Sequence, residues 1–181
     1  MGHAGTLDPA ATGVLVLCVG KATKISAFLM EGEKEYVGTG RLGVTTDTQD
    51  GEGQVVQERP VDTDADAVRQ AAARFVGEIE QVPPMYSAVK VGGQKLYRLA
   101  RQGQEVERKP RPVTVHALEI GRVELPEFDF ILRCSKGTYV RTIVHDLGEA
   151  LGCGGHLAGL VRERQGSFGR ERAVTWEPTR R

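Results

Sequence analysis

The chain has 181 residues, 40% of them hydrophobic and 27% charged, which is enough to bury one core and is the length of one domain or of a domain with an appendage. Its 24 basic and 24 acidic residues cancel, which argues against a uniformly basic nucleic-acid binder and leaves such a role to local patches. Cys18, Cys134 and Cys153 are widely spaced and lack a Cys-x-x-Cys pair, so reduced, packed thiols in a cytoplasmic protein are expected rather than a disulfide framework or a zinc site.

Along the chain, Val14–Val19 is a short apolar, β-rich run and predicts a buried strand. Lys21–Met30 predicts a helix stopped at Glu31-Gly32. Lys34–Gly43 alternates as a strand, with Tyr36, Gly38 and Gly40 on one face. Thr45–Gly53 is a polar loop leading to a short strand over Gln54–Arg59. Asp64–Phe75 predicts a helix, with an Asp cap and apolar positions at Ala67, Val68, Ala71, Ala72 and Phe75. Pro83-Pro84 breaks the chain, Tyr86–Lys90 predicts a strand entering the Gly92-Gly93 turn, and Leu96–Arg101 a short helix ended by Gly103. Arg111–Ile120 and Phe128–Ser135 alternate as strands, Arg141–Ala150 is helical in pattern, and Leu157–Arg162 begins the last ordered segment. Strands and helices mix without a strict βαβ beat, which predicts an α+β fold with a mostly antiparallel sheet. No apolar stretch approaches a membrane span, and the first residues lack the regions of a signal peptide.

The chemistry is concentrated in Gly2-His3-Ala4-Gly5-Thr6-Leu7-Asp8-Pro9-Ala10-Ala11-Thr12-Gly13. Pro9 fixes its own φ and biases Asp8 away from helical geometry. A carboxylate on such a stiff turn is held in one orientation, as a nucleophile or general base requires. Read alone, the same residues also describe an Asx turn that only caps its own loop.

This motif resembles that of the bacterial tRNA pseudouridine synthase B family, Gly-His-x-Gly-Thr-Leu-Asp-Pro-x-Ala-Thr-Gly, at every fixed position. The resemblance runs on through Gly20-Lys21-Ala22-Thr23-Lys24, Lys34-Glu35-Tyr36, Arg41-Leu42-Gly43, Thr45-Thr46-Asp47-Thr48 and Asp50-Gly51-Glu52-Gly53. It continues in Pro83-Pro84-Met85-Tyr86-Ser87-Ala88-Val89-Lys90 and Gly137-Thr138-Tyr139-Val140-Arg141-Thr142, in the family's order and over nearly the whole chain. It implies the pseudouridine synthase fold, a central mixed, mostly antiparallel sheet flanked by helices, with residues 1–181 as the catalytic domain. The implied activity is isomerisation of uridine 55 in the T-loop of tRNA, without cofactor or metal.

By the same resemblance Asp8 is the essential aspartate, attacking the sugar or base, or removing a ribose proton. Arg141 is its pairing partner, and a bidentate bridge would keep the carboxylate charged and aimed. The alternative for Arg141 is a surface ion pair at a helix head, where an arginine is poorly placed against the helix dipole. Tyr36 resembles the tyrosine that stacks on the target base, and Leu160 the apolar residue closing the other side; by pattern alone both are core positions. His3 matches the histidine that holds the flipped T-loop, Asp50 supports the site, and Tyr139, in the arginine motif, is a substrate-binding candidate. Lys90, with Tyr86, Tyr97 and nearby arginines, falls in a basic and aromatic segment, about 83–111, expected to contact RNA. A second basic cluster, Arg162, Arg164, Arg170 and Arg172, suggests a nucleic-acid contact as the first does, with a solvated face as the usual alternative for both.

Two departures from the family pattern are expected to matter. The usual N-terminal strand before the Asp8 motif is absent, and the chain stops after Ala173-Val174-Thr175-Trp176 and Arg180-Arg181, where relatives continue into a small RNA-binding domain. The partner implied by the resemblance is the T-arm of tRNA; nothing in the sequence suggests an obligate protein partner, so a monomer is expected, in the cytoplasm in keeping with the reduced thiols. The alternative is an RNA-binding or tRNA-folding module, or an inactive fragment of the enzyme.

Overall fold

The computed structural model describes residues 1–175; Trp176, Arg180 and Arg181 lie outside them. The chain opens with β1 (Gly2–His3), β2 (Thr12–Gly13) and β3 (Leu17–Cys18), the last antiparallel to β1. A 3-10 turn over Gly20–Ile25 runs into α1 (Ser26–Met30). Then come β4 (Lys34–Leu42), the hairpin β5 (Val44–Thr46) and β6 (Val55–Glu58), α2 (Ala65–Ala73) and β7 (Gly77–Gln81). A small hairpin, β8 (Lys90–Val91) and β9 (Gln94–Lys95), leads into α3 (Leu96–Arg101). The second half holds β10 (Arg111–Glu124), β11 (Glu127–Cys134), α4 (Val140–Ala150), β12 (Gly155–Gln165) and β13 (Phe168–Gly169).

The main sheet runs β13-β12-β4-β11-β10-β7, antiparallel throughout, and β2 joins the edge of β12 in parallel. That is the α+β, mixed and mostly antiparallel architecture expected from the sequence. Alternation in β4 sends Tyr36, Gly38, Gly40 and Leu42 inward, against Phe128, Phe130 and Leu132 of β11. Val140, Ile143, Val144 and Leu147 of α4 cover this face together with Val68, Ala71 and Ala72 of α2. Helix α2 starts where Asp64 Oδ1 accepts the Ala67 amide at 2.8 Å. Among the described residues, no helix is long and apolar enough to cross a membrane.

Several elements differ from the sequence reading. The run Val14–Val19 is mostly not a buried strand: Val14 and Cys18 are buried, while Leu15, Leu17 and Val19 are exposed and only Leu17–Cys18 pairs. Residues 20–30 are a 3-10 turn followed by one short helix, and neither buries a whole residue. Tyr86–Val89 forms bends, and pairing begins only at Lys90. Strand β7 escaped the pattern because two glutamates occupy its outward positions, and β10 runs past Ile120 to Glu124. The segment begun at Leu157 is part of an eleven-residue central strand whose bulges blur its alternation.

The two inward glycines of β4 lie directly opposite phenylalanines, Gly38 against Phe130 and Gly40 against Phe128. A Cβ at Gly40 would stand 2.4 Å from Phe128 Cζ, so the absent side chain is what admits the ring. Gly40→Ala should therefore cost about 1–3 kcal/mol by overpacking. Denaturant unfolding should also show Phe128→Leu recovering part of that loss in the double variant.

Candidate active site

Asp8 sits on a turn closed by the Ala11 amide donating to the Asp8 carbonyl at 2.9 Å. Strand β12 anchors this turn. Gly13, at φ +101°, pairs so closely with Arg162 that a Cβ would stand 2.2 Å from the Arg162 carbonyl oxygen, so both conformation and space demand glycine. The Arg162 side chain then crosses beneath the turn. Its Nε donates to Val14 O at 2.7 Å, Nη1 to Thr6 O at 3.2 Å and Nη2 to Gly5 O at 3.3 Å. Gln165 Nε2 donates to the Ala4 carbonyl. Arg162 is only 2% exposed, so this member of the second basic cluster is a buried clamp and not part of a solvated face. No sequence signal separates such an arginine from a surface one.

Arg141, in the first turn of α4, is buried and reaches the same turn from the other side. Its Nε donates to Asp8 Oδ2 at 2.9 Å and its Nη2 to Asp8 Oδ1 at 3.1 Å, a bidentate bridge. The guanidinium also donates to Thr48 O at 2.8 Å and Tyr86 O at 3.0 Å, and Asp50 Oδ2 lies 3.7 Å from Nε. Two carboxylates and two carbonyls thus surround one cation, while the Asp8 side chain remains 37% exposed.

Two further residues hold this arrangement. Gln81 clasps the backbone at the head of α4, donating to Tyr139 O at 3.1 Å and accepting from Tyr139 N at 2.9 Å. Gln49 adopts φ 63°, an unusual conformation for a side chain larger than glycine. It is held there by Thr142 Oγ1, which donates to its Oε1 at 2.9 Å, and by the Leu157 amide, which donates to its carbonyl at 3.0 Å. That twist seats Thr48 and Asp50 beside Arg141, and Thr48 Oγ1 donates to Asp50 Oδ1 at 2.5 Å. Neither Gln49 nor Gln81 carries a sequence signal beyond its polarity.

Asp8 opens into a cleft of about 860 Å³. Tyr36, Asp50, Tyr139, Arg141 and Leu160 line it as well, so six of the eight candidate residues meet there. His3, exposed on β1, and Lys90, exposed on β8, do not line it; Lys95, Tyr97 and Arg101 of the same basic segment do. Tyr36 and Leu160 are diagonal neighbours across the β4–β12 pair, where Leu160 faces Gly38 and Arg162 faces Tyr36. Burial pushes the Tyr36 phenol up to about 12. It is therefore a neutral ring with a hydroxyl at physiological pH. Burial pulls the Lys34 ammonium down at the cleft wall, where it donates to Met30 O and Gly32 O, each at 2.6 Å.

Residues 1–140 match the family model described as TruB family pseudouridylate synthase (N terminal domain). The chain belongs to this family. Residues 141–179 match the model of the tRNA pseudouridylate synthase B C-terminal domain. A relative named tRNA pseudouridine synthase B from Cupriavidus metallidurans is 57% identical over 178 residues, covering 97% of this chain and 57% of its own length. Its namesake from Opitutus terrae is 54% identical over 176 residues, covering 97% of this chain and 73% of its own length. The chain thus spans little more than half of the first of these relatives. Among solved structures, a Cbf5–Nop10–Gar1 complex aligns with a TM-score of 0.70 at 33% identity, covering 93% of this chain and 41% of that one. An H/ACA RNP bound to a substrate RNA containing 2′-deoxyuridine aligns with a TM-score of 0.66 at 28% identity, covering 93% of this chain and 39% of that one.

Two measurements test the site's construction. Arg162→Met strands three carbonyls and should lower unfolding free energy by at least ~2 kcal/mol. In an alkaline titration of tyrosinate absorbance, one of the four tyrosines should ionise only near pH 12, and that late step should vanish in Tyr36→Phe. Because the folded state holds this proton more tightly than the unfolded chain, its contribution to stability should fall as pH rises from about 10 toward 12.

Proposed function

We propose that the chain isomerises uridine 55 in the T-loop of tRNA to pseudouridine, acting as a monomer in the bacterial cytoplasm. The observation that carries this reading is the bidentate Arg141–Asp8 bridge at a cleft walled by Tyr36 and Leu160. The family membership and the names of the relatives support it.

In this reading the target uridine leaves the RNA stack and its uracil enters between the Tyr36 ring and Leu160. Asp8 meets the ribose. Arg141 keeps its carboxylate ionised by opposing protonation and fixes its direction by the planar fork. The C1′–N1 bond breaks, the uracil turns, and a C1′–C5 bond forms; N1 gains a proton and C5 loses one. Asp8 acts as nucleophile or as base, and either route uses the ionised carboxylate. Asp50 braces Arg141, and Tyr139 belongs to the backbone clasp that sets the head of α4. His3 and Lys90, outside the cleft lining, would touch parts of the T-loop away from the reacting base. The cationic and aromatic side chains of residues 83–111 would meet phosphates and unpaired bases. Tyr97 already has two cations close to its ring, with Lys95 Nζ 5.6 Å and Arg101 Cζ 5.5 Å from the ring centre.

Tritium release from C5-labelled uridine in a T-arm stem-loop tests the reading. Asp8→Asn should reduce release by at least ~100-fold, as expected for a positioned acid–base or nucleophilic group, while the chain still unfolds cooperatively, at a midpoint lowered by the loss of Arg141's ionised partner. Arg141→Lys should reduce it by roughly a hundredfold, the scale of an ångström-sized misplacement. Release that persists in Asp8→Asn would refute the assignment. RNA binding without release by the parent chain would indicate a binding module.

A further inference from the structure

Among the polar side chains that line the cleft, Ser87 is set apart by a buried hydroxyl that makes no hydrogen bond to any described residue. Ser87 is 5% exposed and lines the cleft beside Tyr86 and Ala88. Its hydroxyl oxygen is buried and has no hydrogen-bond partner among the described residues. An orphaned buried hydroxyl is destabilising, and such groups call for a reason. Three other buried atoms share this condition, Arg59 Nε, His145 Nδ1 and Gln165 Oε1, but none of those residues lines the cleft.

The backbone of Ser87 is held, although its side chain is not. Its amide donates to Met85 O at 2.9 Å, and its carbonyl accepts from Tyr97 N at 3.0 Å. The preceding carbonyl, that of Tyr86, accepts from Arg141 Nη2, the same nitrogen that donates to Asp8 Oδ1. Ser87 is therefore tied through one residue to the ion pair. Rotation about χ1 moves a serine hydroxyl between staggered positions without moving the backbone. A hydroxyl just beneath the cleft surface thus needs only a rotamer change to meet a ligand.

We propose that Ser87 is a substrate-contacting residue, its hydroxyl donating a hydrogen bond to an acceptor oxygen of the uridine nucleotide that occupies the cleft. This rests on the isomerase reading for the identity of that nucleotide. The acceptor is an oxygen of the uracil or of the adjoining phosphate, and both present the same chemistry to a hydroxyl donor. The free protein tolerates the unpaired hydroxyl, and the bound RNA satisfies it.

The consequence is an opposition between stability and activity that a packing role does not produce. Ser87→Ala removes the orphaned group and should leave the thermal midpoint unchanged or higher, while tritium release per enzyme falls about tenfold or more. A wild-type rate in Ser87→Ala would overturn the proposal, as would a rate lost in step with stability. Substrates with 4-thiouridine, 2-thiouridine or a methylphosphonate next to the target separate the sources. The RNA that has already lost the acceptor should show no further loss with Ser87→Ala, and an equal Ser87→Ala penalty on all of them would overturn the contact. The two readings are separated by measuring T-arm RNA binding in the Asp8→Asn background with and without Ser87→Ala. Weaker binding on removing the hydroxyl upholds the contact even if no isomerisation occurs, and equal binding refutes it.

Discussion

The structure turns on one buried guanidinium. Arg141 enters from the first turn of a helix, where the dipole disfavours a cation, and is compensated there by two carboxylates and two backbone carbonyls. The result couples four segments distant in sequence: the Asp8 turn, the Thr48–Asp50 loop, the Tyr86 bend and α4. Removing any one anion or carbonyl would leave a buried charge short of partners, so the site is held together by the cost of desolvating that charge. The bridge also joins the two parts recognised by separate family models, since Asp8 lies in residues 1–140 and Arg141 in 141–179.

A second arginine makes the first effective. Among the described residues Arg162 has no bidentate carboxylate partner, and it spends its donors on carbonyls on both sides of Asp8. Arg141 fixes the carboxylate and Arg162 fixes the backbone that carries it. Between them Asp8 keeps its exposure toward the cleft without the freedom of an ordinary loop, which is how a surface turn becomes a pre-organised site. The central strand β12 supplies Arg162, Leu160 and the edge on which β2 pairs, so the sheet and the site share a support.

Much of this was legible in the sequence where a residue's pattern reports its environment. The alternation of Lys34–Gly43 and Phe128–Ser135 gave two central strands, and Asp64 ahead of an apolar helical repeat gave α2. The rigid Gly/Thr/Pro setting marked Asp8, and the motif resemblance singled out Arg141, Tyr36 and Leu160. What escaped was polarity placed inside. Arg162, Gln165, Gln81 and Gln49 look like surface residues in a linear sequence and are buried or strained only because distant backbone comes to meet them. The opposite error occurred at Val14–Val19, where apolar residues predicted burial that no neighbouring element provides for Leu15, Leu17 and Val19. Periodicity says which faces differ; it does not say what will cover them.

The most direct test of the account is a crystal structure of the chain with a T-arm stem-loop carrying 5-fluorouridine at the target position. The modified base should lie flipped into the cleft against the Tyr36 ring and opposite Leu160, its ribose at Asp8, with Arg141 still bridging that carboxylate through both nitrogens. A base left stacked in the RNA, or seated away from Asp8 with the cleft vacant, would contradict it.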